Sequence, residues 1–423
     1  MWLHHQIISG KLFAKLFLEK AETASPRLPD KSKFEKTKKG ESMFTSIGKY
    51  IKNCIKSVDP ILFFCTFALT FISIVTVFGA MDNFGTRKLI MQVAMAAAGL
   101  VATFIIASID YHAIVDKLWI FMIIGSVLIL AATLILGSSG ENMETANKSW
   151  LKLPVIGIMI QPSEFVKIAL VCTFAKHAFA VQDKINHPKT LLPLALHAGL
   201  IVGLILISGD LGVALVYMAF LAIMLFVAGL SGFYYLGGIV SVILAFPLLW
   251  EFLAPYQQER IIVGFNPELD PEGKGMQALL SKQCVGNGGI FGIGLMGKGD
   301  YEVLPASHTD FIFATICEKL GIVGGVIVVA LLALMVIRIL MIAKSCEKDY
   351  GGLICVGVAA IIVVQTIENI GMCLAMLPVV GITLPFLSCG GSSLLATFVL
   401  VSLVHSVKSY RPRISNDEIR GIF

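Results

Sequence analysis

Long apolar segments recur along most of this chain, and this recurrence restricts its fold more than any other feature. From residue 60 onward, ten segments of about 20 mostly apolar residues follow one another. A helix of that length crosses the hydrocarbon core of a bilayer, so each segment is a candidate membrane helix. We therefore predict an all-α, polytopic membrane protein with ten transmembrane helices. The segments lie at 60–80, 89–109, 116–137, 162–182, 190–208, 211–229, 232–254, 311–343, 352–376 and 386–407.

The composition agrees with a membrane location and excludes other classes. Hydrophobic residues make up 57% of the chain and charged residues 14%, whereas a soluble domain has about 25% charged residues. The formal net charge of +5 is too small to suggest a nucleic-acid partner. The nine cysteines contain no CxxC pair, so neither a zinc site nor a disulfide framework is predicted.

The distribution of basic residues predicts the orientation of the helices. Residues 1–59 contain twelve Lys or Arg, and cytoplasmic segments of membrane proteins carry such an excess. We therefore interpret residues 1–59 as a basic cytoplasmic segment, 60–410 as the membrane domain and 411–423 as a cytoplasmic tail. Both termini are then inside. The segment 255–310, between helices seven and eight, becomes a large extracytoplasmic loop.

Polar residues gather where four of the predicted helices begin on the extracytoplasmic side. Helix four opens with QPSEFVK, helix six with GDLG, helix eight with HTDF and helix ten with LPFLSCGGSS. These openings supply Glu164, Lys167, Asp210, Asp310, Ser392 and Ser393. One interpretation is helix capping, since Asp and Ser satisfy free N–H groups at helix starts. Capping does not explain Lys167, because a lysine one turn inside a membrane helix needs a partner or water.

A phosphate-bearing lipid is the ligand that this pattern favours. Helix N-termini and Gly-rich turns bind phosphate through backbone N–H groups, and the turn at 390–393 is Gly-Gly-Ser-Ser. Glu164 lies three residues before Lys167 and is its natural partner. The residues alone thus predict a polar pocket at the outer leaflet that accepts a phosphate-linked head group.

Several longer motifs indicate a specific family. They are QPSEFVK (161–167), GDLG (209–212), YQQERI (256–261), FNPELDPEGKG (265–275), the glycine-rich run 286–299, LPASHTDFIFATICEKLGIVGG (304–325) and NIGMCLAMLPVVGITLPFLSCGGSS (369–393). Through these motifs the chain resembles the SEDS family (shape, elongation, division and sporulation) over about residues 60–410. The last two motifs are long and specific. Three positions depart from the family pattern: Ser149 stands where an Arg is common, Ala306 where a Glu is frequent and Ile293 where many members have Lys.

The resemblance implies a fold, an activity and a partner. The fold is ten transmembrane helices with both termini inside the cell. The activity is that of a peptidoglycan glycosyltransferase, which polymerises lipid II at the outer face of the bacterial cytoplasmic membrane during elongation, division or sporulation. The implied partner is a class B penicillin-binding transpeptidase. The family's essential aspartate corresponds to Asp310, and its other motif residues to Glu302, Glu164, Lys167 and Asp210.

The implied reaction assigns a role to each candidate. Pyrophosphate is a good leaving group, so one carboxylate base suffices, whereas a glycosidase uses two carboxylates. Asp310 is the predicted general base, and Lys167 and Arg260 are candidates for contacting the pyrophosphate, with Glu164 positioning Lys167. Glu302 is a candidate to orient the acceptor or hold a divalent cation, Mg²⁺ or Mn²⁺; the alternative is a solvated loop acid. No organic cofactor is expected.

Two other functions compete with polymerisation. A lipid II flippase would also bind the lipid-linked glycan, but transporters place their ionisable residues near the midplane, often in broken helices. The candidate residues here lie at one face of the membrane, which favours surface chemistry. The other alternative is a noncatalytic scaffold for a transpeptidase.

Overall fold

The structure is a computed structural model that describes residues 57–138, 148–152, 159–252, 255–346 and 348–410. Most of the predicted basic segment and the predicted tail 411–423 lie outside these ranges. The described helices are α1 Pro60–Gly79, α2 Met81–Phe84, α3 Thr86–Ala107, α4 Tyr111–Leu136, α5 Pro162–Val181, α6 Pro188–Ile207, α7 Leu211–Val227, α8 Gly232–Phe252, α9 Pro255–Phe265, α10 Met276–Asn287, α11 Ile312–Lys344, α12 Tyr350–Cys373 and α13 Gly391–Tyr410. A two-residue antiparallel hairpin pairs β1 Leu151–Lys152 with β2 Met159–Ile160.

Every predicted apolar segment coincides with a helix, so the prediction of an all-α fold is confirmed. Within the described ranges, seven helices are long and apolar enough to cross a membrane: α1, α3, α4, α6, α11, α12 and α13. The helix α7 is apolar but shorter, and α5 contains the buried Glu164 and Lys167. The start of the last helix is shifted: we predicted residue 386, and α13 begins at Gly391.

The helix α12 lies at the centre of the bundle and packs against α5, α7 and α11. Its first half is buried on all sides, and Gly351, Gly352 and Gly357 give it a narrow surface. Small residues allow membrane helices to approach closely, and close packing drives helix association in lipid. The candidate site is built where the far end of α12 meets the loops before α11 and α13.

A buried ionic cluster joins three helices at the end of the bundle where α1 begins. Asp59 is fully buried and caps α1. Its carboxylate accepts hydrogen bonds from Arg338 of α11 at 2.7 Å and from Lys408 of α13 at 2.5 Å. Burial alone would raise the pKa of Asp59, but these cations and the cap hold it well below its usual range. The cluster therefore fixes α1, α11 and α13 against one another.

The helix α11 is broken at Gly321, a feature that the sequence analysis did not predict. Gly321 has φ of +72°, and the glycine-rich run packs against the break. The backbone N–H groups of Ile293 and Gly294 donate to the carbonyls of Glu318 and Lys319, at 2.9 and 3.1 Å. In return, the N–H of Ile322 donates to the carbonyl of Gly289 at 2.9 Å. The backbone groups exposed by the break are thus satisfied by the loop.

The side chains of Glu318 and Lys319 hold the same loop in place. The carboxylate of Glu318 accepts hydrogen bonds from the N–H groups of Asp300 and Tyr301, both at 2.8 Å. The ammonium group of Lys319 donates to the carbonyls of Gly79 and Leu295, at 3.0 and 2.8 Å. Both side chains are buried, so their charges are compensated by fixed backbone dipoles. The contacts explain these two ionisable residues structurally.

Candidate active site

Asp310 lies in the tight turn that precedes α11 and does not cap this helix. The helix begins at Ile312, and no side chain caps its first turn. Ala306 begins the turn with φ of +53°, and its carbonyl accepts the N–H groups of Thr309 and Phe311, at 3.0 and 3.2 Å. The capping interpretation is therefore wrong for Asp310, whose carboxylate is available for another role.

Two other segments hold the backbone of this turn. Asn369, buried in α12, donates from Nδ2 to the carbonyls of Asp310 and Ile382, both at 2.7 Å. The Ser388 hydroxyl donates to the carbonyl of Thr309 at 2.7 Å, and the N–H of Cys389 donates to the carbonyl of His308 at 2.8 Å. These bonds require a non-helical segment before α13, which explains why that helix begins at residue 391 rather than 386.

The carboxylate of Asp310 faces the backbone of Gly381. A Cβ atom at position 381 would lie 3.3 Å from Oδ2 of Asp310, and Gly381 has φ of +73°, so a side chain there would be strained and would press on the carboxylate. The pKa of Asp310 is raised to about 6, mainly because burial disfavours the charged form. A hydrogen bond from Thr309 lowers this pKa, and the charge of Asp210 raises it. A carboxylate with such a pKa is suited to accept a proton near neutral pH.

A narrow cleft extends from Gly381, which faces Asp310, to the pair on α5. It is lined by Gln161, Glu164, Lys167, Val213, Val216, Tyr217, Gln365, Gly381, Ile382 and Thr383. Within it, Nζ of Lys167 lies 2.9 Å from Oε2 of Glu164, and both side chains are buried. The predicted partnership of these residues is present. The cleft therefore places a cation and several polar side chains beside the loop that faces Asp310.

Asp210 caps α7 and binds Gln161, a residue of the cleft wall. Its carboxylate caps α7 through the N–H of Val213 at 3.2 Å and accepts a hydrogen bond from Gln161 at 3.0 Å. Burial raises the pKa of Asp210 above its usual value. A second cavity is lined in part by Asp210 and the buried Ser149 and Ser163. Ser149, one of the predicted departures from the family pattern, thus lies beside Asp210.

The other predicted site residues do not line the cleft, or their side chains lie outside the described residues. Glu302 is exposed. Its Oε1 accepts a hydrogen bond from the Tyr301 hydroxyl at 3.4 Å, and its backbone carbonyl accepts one from Nδ2 of Asn83 at 3.2 Å. The hydroxyl of Ser393 donates to the carbonyl of Gly390 within its own turn at 3.3 Å. Ser392 is buried at the start of α13. Arg260 belongs to α9, but its side chain lies outside the described residues.

Three polar residues of the site were not singled out from the sequence. They are Gln161 and Gln365, which line the cleft, and Asn369, which holds the Asp310 turn. Gln161 and Asn369 lie inside the motifs quoted above, and Gln365 and Asn369 interrupt an apolar helix. A polar residue inside a membrane span is costly unless it has a partner, so that interruption was the available signal.

Comparison with known proteins identifies the family. Residues 56–413 match the model of the FtsW, RodA and SpoVE family of cell cycle proteins. The chain belongs to the SEDS family. Its relatives include a probable peptidoglycan glycosyltransferase FtsW of Trichlorobacter lovleyi, 33% identical over 361 residues that cover 83% of this chain and 93% of the relative. Peptidoglycan glycosyltransferase MrdB of Escherichia coli is 33% identical over 369 residues, 85% of this chain and 95% of the relative.

Solved structures agree with this membership. This SEDS protein is similar to a chain of a peptidoglycan synthase complex studied for its coordination of polymerization and crosslinking, with a TM-score of 0.73 and 28% identity. It is also similar to the rod shape determining protein RodA of Thermus thermophilus, with a TM-score of 0.62 and 25% identity. Both similarities cover 84% of this chain and 98% of the other chain. The chain is therefore a multi-pass membrane protein with a RodA-like fold.

Proposed function

We propose that this SEDS protein is a peptidoglycan glycosyltransferase that polymerises lipid II at the outer face of the bacterial cytoplasmic membrane. In this proposal α5, α7 and α8 also cross the bilayer, which gives ten spans with both termini inside and the segment 255–310 outside. The observation that carries the proposal is the environment of Asp310. Its carboxylate is only partly exposed, burial raises its pKa to about 6, and it is held in a hydrogen-bonded turn close to a polar cleft.

The reaction needs one proton acceptor at this position. The 4-hydroxyl of the acceptor sugar attacks the anomeric carbon of the donor, a new glycosidic bond forms, and undecaprenyl pyrophosphate leaves with the electrons of the broken C–O bond. Asp310 takes the proton of the attacking hydroxyl. General-base assistance of this kind contributes about 10²–10⁴ in rate, and the fixed turn adds positioning.

The leaving pyrophosphate requires positive charge. Lys167 supports this role because its ammonium group lies in the cleft and is paired with a single carboxylate, that of Glu164. Asp210 holds Gln161 of the same cleft through a hydrogen bond, and Arg260 is a further candidate on α9. We also propose that the α13 turn with Ser392 and Ser393 offers its N–H groups to phosphate.

A divalent cation is a second source of positive charge for the pyrophosphate. Across the described ranges, no group of three or more His, Cys, Asp or Glu side chains is arranged to hold a metal ion. Mg²⁺ is commonly bound by one or two carboxylates together with substrate phosphates. We therefore propose that any Mg²⁺ or Mn²⁺ binds with the substrate, with Glu302 as the candidate carboxylate.

The likeness to a chain of a peptidoglycan synthase complex supports a class B penicillin-binding transpeptidase as the partner. Such an enzyme would crosslink the glycan that this chain polymerises. The similarity covers nearly all of that chain, so the two chains share the fold on which such an assembly would be built.

A flippase remains the competing function, because the broken helix α11 is a feature found in transporters. In transporters the unwound backbone carbonyls at such a break coordinate the coupling ion. Here the carbonyls of Glu318 and Lys319 accept hydrogen bonds from Ile293 and Gly294. The break is therefore sealed by the protein itself, which favours surface chemistry.

The decisive experiment assays purified wild type and Asp310→Asn with labelled lipid II, each with and without the transpeptidase. We expect glycan polymer from the wild type and a loss of about 10²–10⁴ in rate for the variant. Polymerisation by the variant at the wild-type rate would show that Asp310 is not the base. Lipid II translocation without polymer would identify a flippase. If this chain neither polymerises nor translocates lipid II and only the transpeptidase is active, the chain is a noncatalytic scaffold.

A further inference from the structure

The glycine-rich run forms a loop, residues 288–297, that packs on the break in α11 and is called the glycine loop below. Its backbone pairs with residues on both sides of Gly321. At Gly292, φ is +80° and a Cβ would lie 2.1 Å from the carbonyl oxygen of Lys319. The loop is thus fixed to the helix by close backbone contact. The loop and the break in α11 therefore lie at the same depth in the membrane.

Two contacts between α1 and α11 set the level of the break. At one end Arg338 binds Asp59, which caps the start of α1, and at the other Lys319 donates to the carbonyl of Gly79, its last residue. The two helices therefore cover the same layer. The 20 residues of α1 extend about 30 Å, the thickness of the hydrocarbon core. Gly321 and the glycine loop consequently lie at the membrane boundary on the Asp310 side.

The glycine loop carries large apolar side chains that no other part of the described structure covers. Phe291 is 80% exposed, Met296 67% and Ile290 63%. Directly beneath them, Ile322 and Val326 are 51% and 59% exposed on the membrane-facing side of α11. Ile290 and Val323 are joined by a backbone hydrogen bond. The apolar surface of the loop is thus continuous with the lipid-facing surface of the helix.

We propose that the glycine loop is a membrane anchor that inserts Phe291, flanked by Ile290 and Met296, into the outer leaflet of the bilayer. Aromatic and aliphatic side chains at this level partition into the boundary between head groups and acyl chains. Lipid is favoured over a partner protein because the exposed side chains continue the lipid-facing surface of α11. The anchor also holds the segment around Tyr301, which precedes the Asp310 turn. The ammonium group of Lys319 donates both to the carbonyl of Leu295 in the glycine loop, at 2.8 Å, and to the hydroxyl of Tyr301, at 3.0 Å.

The test measures the depth of position 291 by fluorescence quenching. Trp2, Trp119, Trp150 and Trp250 are replaced by Phe, and Phe291→Trp or Val303→Trp is introduced. Val303 is a matched control because its side chain is also largely exposed, at 70%, but lies outside the membrane layer. It follows Glu302, whose carbonyl binds Asn83, a residue beyond the end of α1. The proteins are reconstituted into phosphatidylethanolamine–phosphatidylglycerol vesicles with or without brominated acyl chains. The main measurement contains neither the transpeptidase nor lipid II, so its result does not depend on the catalytic proposal. The transpeptidase is added only in a second arm.

We expect brominated lipid to quench the tryptophan at position 291 several-fold more than the one at 303, and aqueous iodide to do the reverse. Quenching of position 291 by iodide alone would overturn the proposal. So would protection that appears only when the transpeptidase is added, which would identify a protein-binding surface. If the Trp-free protein does not fold, p-benzoylphenylalanine at position 291 of the wild-type chain is irradiated in the same vesicles. A lipid adduct by mass spectrometry supports the anchor, and its absence contradicts it.

Discussion

The side-chain amide of Asn369 donates to the backbone carbonyl of Asp310 over 2.7 Å, across 59 positions of the sequence. The same amide also donates to the carbonyl of Ile382. One buried residue of α12 thus ties the turn that carries the carboxylate to the segment that faces it. This arrangement leads to the first of five predictions.

Asn369→Leu should lower kcat much more than it changes KM, because the carboxylate loses its position while the cleft remains. Two buried carbonyls lose their donors, and each unsatisfied group costs about 1–3 kcal/mol. Steady-state polymerisation kinetics and the melting temperature in detergent measure both effects. The control is Cys373→Ala, because the Cys373 thiol lies 3.9 Å from the same carbonyl and is only a weak donor. A kcat for Asn369→Leu equal to that of Cys373→Ala would exclude a positioning role.

The pH dependence of polymerisation should report the raised pKa of Asp310. The base acts only when ionised, so kcat/KM should rise with pH through about 6 and level off above it. At pH 5, roughly a tenth of the plateau rate should remain. Initial rates in buffers of constant ionic strength measure this profile. A profile that is flat through this range would be incompatible with Asp310 as the base.

The same pKa predicts that Asp310→Asn stabilises the fold at neutral pH. The folded pKa of about 6 lies above the unfolded value of about 4, so the folded state binds the proton more tightly. Its stability then falls as pH rises from about 4 to 6, and stays lower above that. The Asn variant avoids this cost. Its melting temperature should exceed that of the wild type at pH 7 and match it near pH 4; a lower value at pH 7 would indicate a structural role instead.

The pair of Lys167 and Glu164 should show strong coupling. Lys167→Met leaves a buried carboxylate without its cation, which costs about 3–5 kcal/mol, whereas removal of both charges costs less. We therefore expect the double variant Lys167→Met, Glu164→Gln to melt above the single Lys167→Met variant. If Lys167 also contacts the pyrophosphate, the double variant stays inactive although it is folded. Equal melting temperatures would contradict the pairing, and an active double variant would contradict the binding role.

Gly321→Ala should destabilise the protein by disrupting the backbone hydrogen bonds between the glycine loop and the break in α11. A Cβ at this position would lie 2.1 Å from the carbonyl oxygen of Ile290, and φ is +72°. Gly286→Ala is the matched control in the same glycine-rich run, because nothing lies within 4 Å of its Cβ position. Thermal melting in detergent should show a clear loss for the first variant and little change for the second. Similar melting curves would mean that the loop adapts without cost.

The sequence by itself determined the membrane class, the positions of the helices and the family, because these depend on local apolar content and contiguous motifs. The 3.6-residue period and the length of each apolar run need no knowledge of distant residues. The sequence also supplied the pair Glu164 and Lys167, since the two residues lie one turn apart. Asp310 was predicted as the general base, with helix capping as the alternative interpretation.

Only the tertiary structure excluded a capping role for Asp310 and revealed what surrounds the carboxylate. Asn369, Ser388 and Gly381 lie far from Asp310 along the chain and reach it through the packing of α12 against α11. The break at Gly321 was hidden as well, because a glycine within a membrane segment does not by itself show that the helix breaks there. Its stability depends on hydrogen bonds from the glycine loop and on Lys319. Such contacts arise from the burial of backbone groups that must find partners in lipid, and the partners are chosen by the whole bundle.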